Sequence, residues 1–346
     1  MNDLQQKNRV IVPDLLKGIA ILFMIQVHLM EQFARPVIEA SIAGKISYFL
    51  GGTPAAPMFM MIMGYFIAKS NMPRIKLIKR GLKILLWAFL LNLGLNAHIL
   101  YNIIFQGWDF DKWSFIFGVD ILFLAGMSIL FIAILASAIK KRWYLLFLVI
   151  VVIFAASQLI DGSTIDKPWN YFTSFFIGGT YWSYFPLLPW LAYPLSGYAF
   201  HQLESFFMAW SWHKAFNYVI GFSLPIFLIL TWNYASSIMY HLEIYYHHQF
   251  GFYIWSVVFS LLWAGMIFIF KDKLSDSLIG KYFKYLGRNI TSIFVFQWLI
   301  IGNLATIWYK LIDWPGLIAS YIIITAISSL LSLAWTTLKQ KNWITQ

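Results

Sequence analysis

The sequence predicts an all-α polytopic integral membrane protein, a helical bundle of about ten transmembrane helices with the N- and C-termini cytoplasmic. Three observations carry that prediction. Of the 346 residues, 60% are hydrophobic and only 11% charged, whereas soluble domains carry about 25% charged residues. Mean hydropathy is +0.70, and the apolar stretches are near-continuous rather than alternating. That combination excludes a water-soluble globule, a disordered chain and an outer-membrane barrel. The basic residues, finally, fall on alternate loops.

A helix needs about 20 mostly apolar residues to cross a bilayer. Ten segments meet that need: 11–30, 47–68, 77–98, 115–139, 143–160, 185–201, 215–235, 250–270, 289–309 and 316–338. The first has a short uninterrupted apolar core, Gly18 to Ile25, like a signal peptide. Gln26, His28, Glu31 and Arg35 follow it, however, and the small-x-small site Ser41-Ile-Ala43 comes too late for cleavage, so it reads as a permanent helix. The sixth is the weakest, being short and containing Pro186, Pro189 and Pro194.

With the N-terminus inside, the inner segments hold Lys7, Arg9 and Lys17, then Lys69, Arg74, Lys76, Lys79, Arg80 and Lys83. They continue with Lys140, Lys141 and Arg142, then Lys214, then Lys271, Lys273, Lys281, Lys284 and Arg288, and end with Lys339 and Lys341. Of 25 Lys and Arg, only Arg35, Lys45, Lys112, Lys167 and Lys310 fall outside. The net charge of +11 is therefore topology rather than nucleic-acid affinity. The chain shows no internal repeat, low-complexity tract or domain linker, so 1–346 reads as a single transmembrane domain. Its longest outer segment, 161–184, is dense in aromatics and glycine, as suits a membrane interface or a fold-back into the protein.

The chain has no cysteine. Disulfides, thiolate nucleophiles, iron–sulfur clusters and cysteine-type zinc sites are excluded, and His241, His247 and His248 have no metal-ligand spacing, so no metal is expected. Chemistry must come from polar groups that a membrane span does not tolerate without reason. The first helix carries Asp14, Lys17, Gln26 and His28. At 100° per residue, Lys17 and His28 lie within about 20° of one face and Asp14 about 40° from it. Asp14–Lys17 also reads as a simple i,i+3 pair, and His28 as an interfacial histidine. Asp120, about five residues inside the outer end of the fourth helix, sits at a similar depth. A carboxylate that orients an imidazole is a recurrent catalytic arrangement; the alternative is a hydrogen bond to a neighbouring helix.

Together these segments resemble one family. DLLKGIAILFMIQVH, Asp14 to His28, resembles the D-x-x-[RK]-G…H first-helix signature of the transmembrane acyltransferase superfamily, in the branch of the heparan-α-glucosaminide N-acetyltransferase catalytic domain and its bacterial relatives. PMFMMIMGYFIAKS (Pro57–Ser70), the basic Arg80-Gly81 start of the third helix, GVDILFLAGMS (Gly118–Ser128), FPLLPWLAYPLSGYAF (Phe185–Phe200) and YLGRNITSIFVFQ (Tyr285–Gln297) are similar to later family motifs, in the same order. Two departures stand out. Phe294 and Gln297 occupy positions where relatives often have Tyr and His, and the large outer domain of the lysosomal enzyme has no counterpart.

The resemblance implies transfer of an acetyl group from cytosolic acetyl-CoA, the donor substrate, to a sugar or glycan hydroxyl or amine at the outer face of the inner (plasma) membrane. His28 is then the general base or a transient acyl carrier, with Asp120 as its catalytic partner. Lys17, Arg80 and Arg288 are candidate contacts for the donor phosphates. Asn92, Asn96 and Gln297 are candidate donors to the carbonyl oxygen. Beyond membrane lipids and the acceptor, no partner is implied. Two alternatives remain: a transporter or flippase for a glycolipid or lipid-linked sugar, and a non-catalytic relative, which rests on Gln297.

Overall fold

The computed structural model describes residues 11–211 and 214–344. Lys7 and Arg9, counted above toward sidedness, lie outside the described residues. Among the described residues there is no strand, only isolated bridges joining Ala34 to Ile312, Val119 to Ser183 and Ile177 to Leu188.

In chain order the helices are α1 (Ile11–Phe33), α2 (Pro36–Glu39), α3 (Ile42–Gly51), α4 (Ala56–Ser70), α5 (Arg74–Leu95), α6 (Ala97–Phe105), α7 (Lys112–Ile116), α8 (Ile121–Ile139) and α9 (Trp143–Leu159). They continue as α10 (Trp169–Thr173), α11 (Leu187–Trp190), α12 (Ala192–Ser211), α13 (Lys214–Tyr240), α14 (Leu242–Tyr246), α15 (Phe250–Asp276), α16 (Leu278–Arg288), α17 (Ile290–Trp308) and α18 (Trp314–Ile344).

Helices occupy all ten segments read from the sequence. Among the described residues, seven spans are long and apolar enough to cross a membrane, or eight if α5 and α6, which meet at a 60° bend, count as one. The difference from ten has physical causes. At 17 residues α9 is short, and α12 carries His201, Gln202 and Glu204 among its apolar residues. α3 and α4 together make one of the seven spans, interrupted at Gly52-Thr53-Pro54-Ala55, where the proline withholds an amide from the ladder.

The chain divides into two compact units, one of residues 1–58, 219–228 and 259–346, the other of residues 59–218 and 229–258. In the first unit α1 is the axis, packed by α3, α16, α17 and α18. The crossing with α16 is backbone on backbone. A Cβ on Gly18 would lie 2.0 Å from the Phe283 carbonyl oxygen, and one on Gly287 1.9 Å from that of Asp14; only glycine permits that approach. Against α3, Gln26 donates to the Ser47 carbonyl at 2.9 Å while the Ser47 hydroxyl donates back to Gln26 Oε1 at 2.5 Å. Beyond the end of α1 the 308–313 turn is clasped to it, Lys310 N donating to Gln32 O and Ile312 N to Phe33 O. Ser292 and Ser332 join α17 to α18 at 2.6 Å.

In the second unit α5 packs along α8, and α9 along α12. Its loops are tied together by Val119 N donating to Trp182 O and Phe185 N to Val119 O.

Candidate catalytic histidine and its surroundings

The first unit brings His28 against one face of α17. Phe294, Gln297 and Trp298 are spaced i, i+3 and i+4, so they share that face. His28 Nδ1 lies 3.2 Å from Gln297 Oε1 and 3.2 Å from Gln297 Nε2. The Trp298 ring packs on the imidazole with centroids 4.1 Å apart and 36° between planes, and Phe294 meets it edge-on at 6.5 Å. His28 is half-buried and Gln297 fully buried. Gln297, a candidate donor to a substrate carbonyl, lies beside the histidine in this structure. The sequence signal for this face was the spacing of the three α17 residues, and Trp298 was missed because tryptophan in a membrane span reads as packing.

At the other end of α1, Asp14 is buried and pairs with both Lys17 and Arg288. Its Oδ1 accepts from Lys17 Nζ at 3.0 Å and its Oδ2 from Arg288 Nε at 3.4 Å. Among the described residues the cluster joins this carboxylate to one lysine and one arginine. The Arg288 side chain is 40% exposed, against 15% for Lys17, so it is the better placed to meet a soluble anion. Lys17 and His28 share a face of α1, but Ile21, Met24 and Ile25, which lie between them, are buried. No open stripe therefore runs along α1 from one to the other in this conformation.

One turn beyond His28 the same helix carries Glu31. Nearby, Lys310 Nζ pairs with Glu39 Oε2 at 2.5 Å. Lys310 adopts a left-handed φ of 58°, a conformation that a non-glycine side chain holds only where the surroundings enforce it.

In the second unit Asp120 stands at the head of α8 rather than inside it, which corrects the expected start near residue 115. Its Oδ1 accepts from Leu122 N at 2.8 Å and Phe123 N at 3.4 Å, the hydrogen bonds of an N-cap. Its Oδ2 is buried without a hydrogen-bond partner among the described residues. Asn92 Nδ2 donates to the carbonyls of Ile116 at 3.0 Å and Gly118 at 2.7 Å, and Asn96 Nδ2 to Phe115 O at 3.0 Å. Both amides hold the loop that leads into Asp120. An amide nitrogen has two donors, and those of Asn92 are committed to backbone, so in this conformation it offers nothing to a carbonyl oxygen. Arg80, near the start of α5, is exposed.

Among the described residues no group of three His, Asp or Glu could hold a metal. His248 is instead a buried structural residue, 2.9 Å from the Tyr193 hydroxyl and 2.8 Å from the Tyr245 carbonyl. Burial pushes its imidazole down to about 4 despite the backbone hydrogen bond. In the loops of this unit Asp111 accepts from Lys167 at 2.6 Å, from the Tyr171 hydroxyl and from Trp113 N at 3.1 Å. Burial alone would raise this carboxyl, but those hydrogen bonds outweigh it and hold the group below the usual carboxylate range. Trp113, Trp169 and Tyr181 are exposed around this anchor.

The family model described as heparan-alpha-glucosaminide N-acetyltransferase, catalytic, matches residues 9–250. That stretch contains His28, Arg80, Asn92, Asn96 and Asp120, and ends before Arg288 and Gln297. No curated protein and no solved structure matches the chain significantly.

Proposed function

This chain belongs to the heparan-alpha-glucosaminide N-acetyltransferase catalytic family, and from that premise we propose that it moves an acetyl group from cytosolic acetyl-CoA to a sugar hydroxyl or amine at the outer face of the plasma membrane. Membership makes it a membrane protein of acyltransferase type; donor, acceptor, membrane and residue roles are the proposal. The observation that carries it is His28, a half-buried imidazole in a membrane span whose Nδ1 is engaged by Gln297, leaving Nε2 as the nitrogen free to react.

In this reading the basic asymmetry puts both termini and the Asp14 end of α1 in the cytoplasm, in a ten-span topology. Arg288 and Lys17, and separately Arg80, meet the donor phosphates there, since charge-assisted contacts from Arg and Lys suit polyanions. At the other end His28 Nε2 takes the proton of the acceptor as its oxygen or nitrogen attacks the thioester carbon. The C–S bond breaks, coenzyme A leaves as a thiolate, and His28 Nε2 gives up the proton it took as the thiolate takes one from solvent. Alternatively Nε2 attacks first and carries the acetyl group to the acceptor in a second step. Within the second unit Asp120, whose Oδ2 is buried without a hydrogen-bond partner among the described residues, is a separate candidate, and Asn92 and Asn96 hold the loop before it.

A transporter for a glycolipid or lipid-linked sugar would draw on the interrupted α3–α4 span and the 60° bend between α5 and α6. One variant separates the readings. His28→Ala, purified as a folded protein, should lose at least about 100-fold in acetyl-CoA turnover, the scale of a lost general base. Near-normal turnover would remove His28 from the chemistry, and sugar flux without turnover in the wild type would favour the transporter.

A further inference from the structure

We propose that Gln297 is the positioning residue of His28, and that its carboxamide supports the imidazole both with and without a proton on Nδ1. The inference rests on the acyltransferase reading and deepens it. Both carboxamide atoms of Gln297 lie at the same 3.2 Å from Nδ1. The residue is fully buried and makes no other hydrogen bond among the described residues, so the whole amide is available to the histidine. Trp298 on the ring face and Phe294 at its edge oppose rotation of the imidazole, so Nε2 stays directed away from Gln297.

A neutral imidazole presents one donor and one acceptor, and a carboxamide presents N–H donors on one atom and an acceptor on the other. With the proton on Nδ1, Nδ1–H donates to Oε1 and Nε2 carries the lone pair needed to take a proton or attack an acyl carbon. If Nε2 forms a bond to the acetyl carbon, the C–S bond breaks and coenzyme A leaves as a thiolate. The acyl-imidazolium then loses its Nδ1 proton, which matches the proton taken up by the thiolate. The bare Nδ1 now accepts from the amide N–H of Gln297. Attack by the acceptor's oxygen or nitrogen on the acetyl carbon then breaks the Nε2–C bond, leaves the acetyl group on the acceptor and returns the acceptor's proton to the ring at Nδ1. A carboxylate in the place of Gln297 could serve only the protonated ring, because it accepts and cannot donate. The glutamine is thus suited to a histidine whose Nδ1 changes protonation during turnover.

The test compares Gln297→Glu and Gln297→Leu by ¹⁵N NMR of histidine-labelled protein in detergent, with the His28 signals assigned by their absence in His28→Ala. Gln297→Glu should pin the proton on Nδ1 and move the His28 titration midpoint upward by about one unit or more, the effect of an opposite charge within contact distance. The acid limb of kcat/KM should move with it. Gln297→Leu should change the distribution of the proton between the two nitrogens and lower turnover about tenfold, the value of one lost orienting hydrogen bond. His28 signals and titration unchanged in both variants would overturn the role. A wild type that turns over no acetyl-CoA would overturn the acyltransferase reading instead, and the NMR comparison would still decide whether Gln297 sets the state of His28.

Discussion

The two ends of α1 use polar residues in opposite ways. At the Asp14 end a carboxylate is neutralised by Lys17 and Arg288 beside a glycine crossing in which Gly18 and Gly287 let two backbones touch. At the His28 end the partners are neutral: an amide, an indole and a phenyl ring. A buried ion pair with compensating charges resists change, because removing one partner strands the other. A neutral imidazole held by an amide can gain or lose a proton at little electrostatic cost to its neighbours. The charged end is built to hold a structure and meet an anion, and the neutral end to change state.

The strongest way to sharpen that contrast is at the donor end. Arg288→Gln should raise the KM for acetyl-CoA about tenfold, the worth of one charge-assisted contact, with the KM for the acceptor unchanged. Equal donor kinetics in correctly inserted protein would leave Arg288 with packing and topology alone.

Asp120 gives a smaller, two-part test. Asp120→Ala removes the α8 cap and should lower stability by about 1 kcal/mol, read as a fall in melting temperature. Asp120→Asn keeps a capping side chain and should keep the melting temperature, while transfer falls if the charge of the free oxygen matters to the reaction. Full transfer by Asp120→Asn would make the residue a cap and nothing more.

The smallest effect belongs to the loops of the second unit. The Asp111 carboxyl is depressed in the folded protein, so its contribution to stability is present above its unfolded value, near 3.9. That contribution is lost as pH falls through the lower folded value. Because Lys167 is 57% exposed, the contribution should be under about 1 kcal/mol. Asp111→Asn should flatten the acid limb of a melting-temperature profile measured from pH 7 to pH 3, and an unchanged limb would assign the acid sensitivity elsewhere.

The same contrast explains what could be read from the chain. The Asp14–Lys17 pair was legible because its members are one turn apart on one helix, and the helices themselves because membrane spans must be continuous apolar runs. The contact between His28 and Gln297 joins residues 269 apart in sequence, and nothing in a single sequence reports such a pairing. Asp120 was placed inside its helix because FIFGVDILFLAG is apolar on both sides of it; hydropathy does not see that a carboxylate with β-region backbone is a better helix start than interior. Asn92 and Asn96 were chosen as free donors because a sequence does not show which carbonyls lack partners, and the 115–118 loop turned out to need theirs. The apolar spans α9 and α12 were counted on hydropathy windows, yet the first helix is short and the second polar at His201 to Glu204.

The central claim is that an acetyl group enters from the charged end of α1 and leaves from the histidine end. Sealed proteoliposomes of uniformly oriented protein test it, with acetyl-labelled acetyl-CoA supplied on the side of the Asp14 end and glucosamine or a neutral sugar on the opposite side. Label should appear on the sugar across the membrane with wild-type protein and be absent with His28→Ala. Label that stays on the donor, or appears only on sugar placed on the donor's own side, would contradict it.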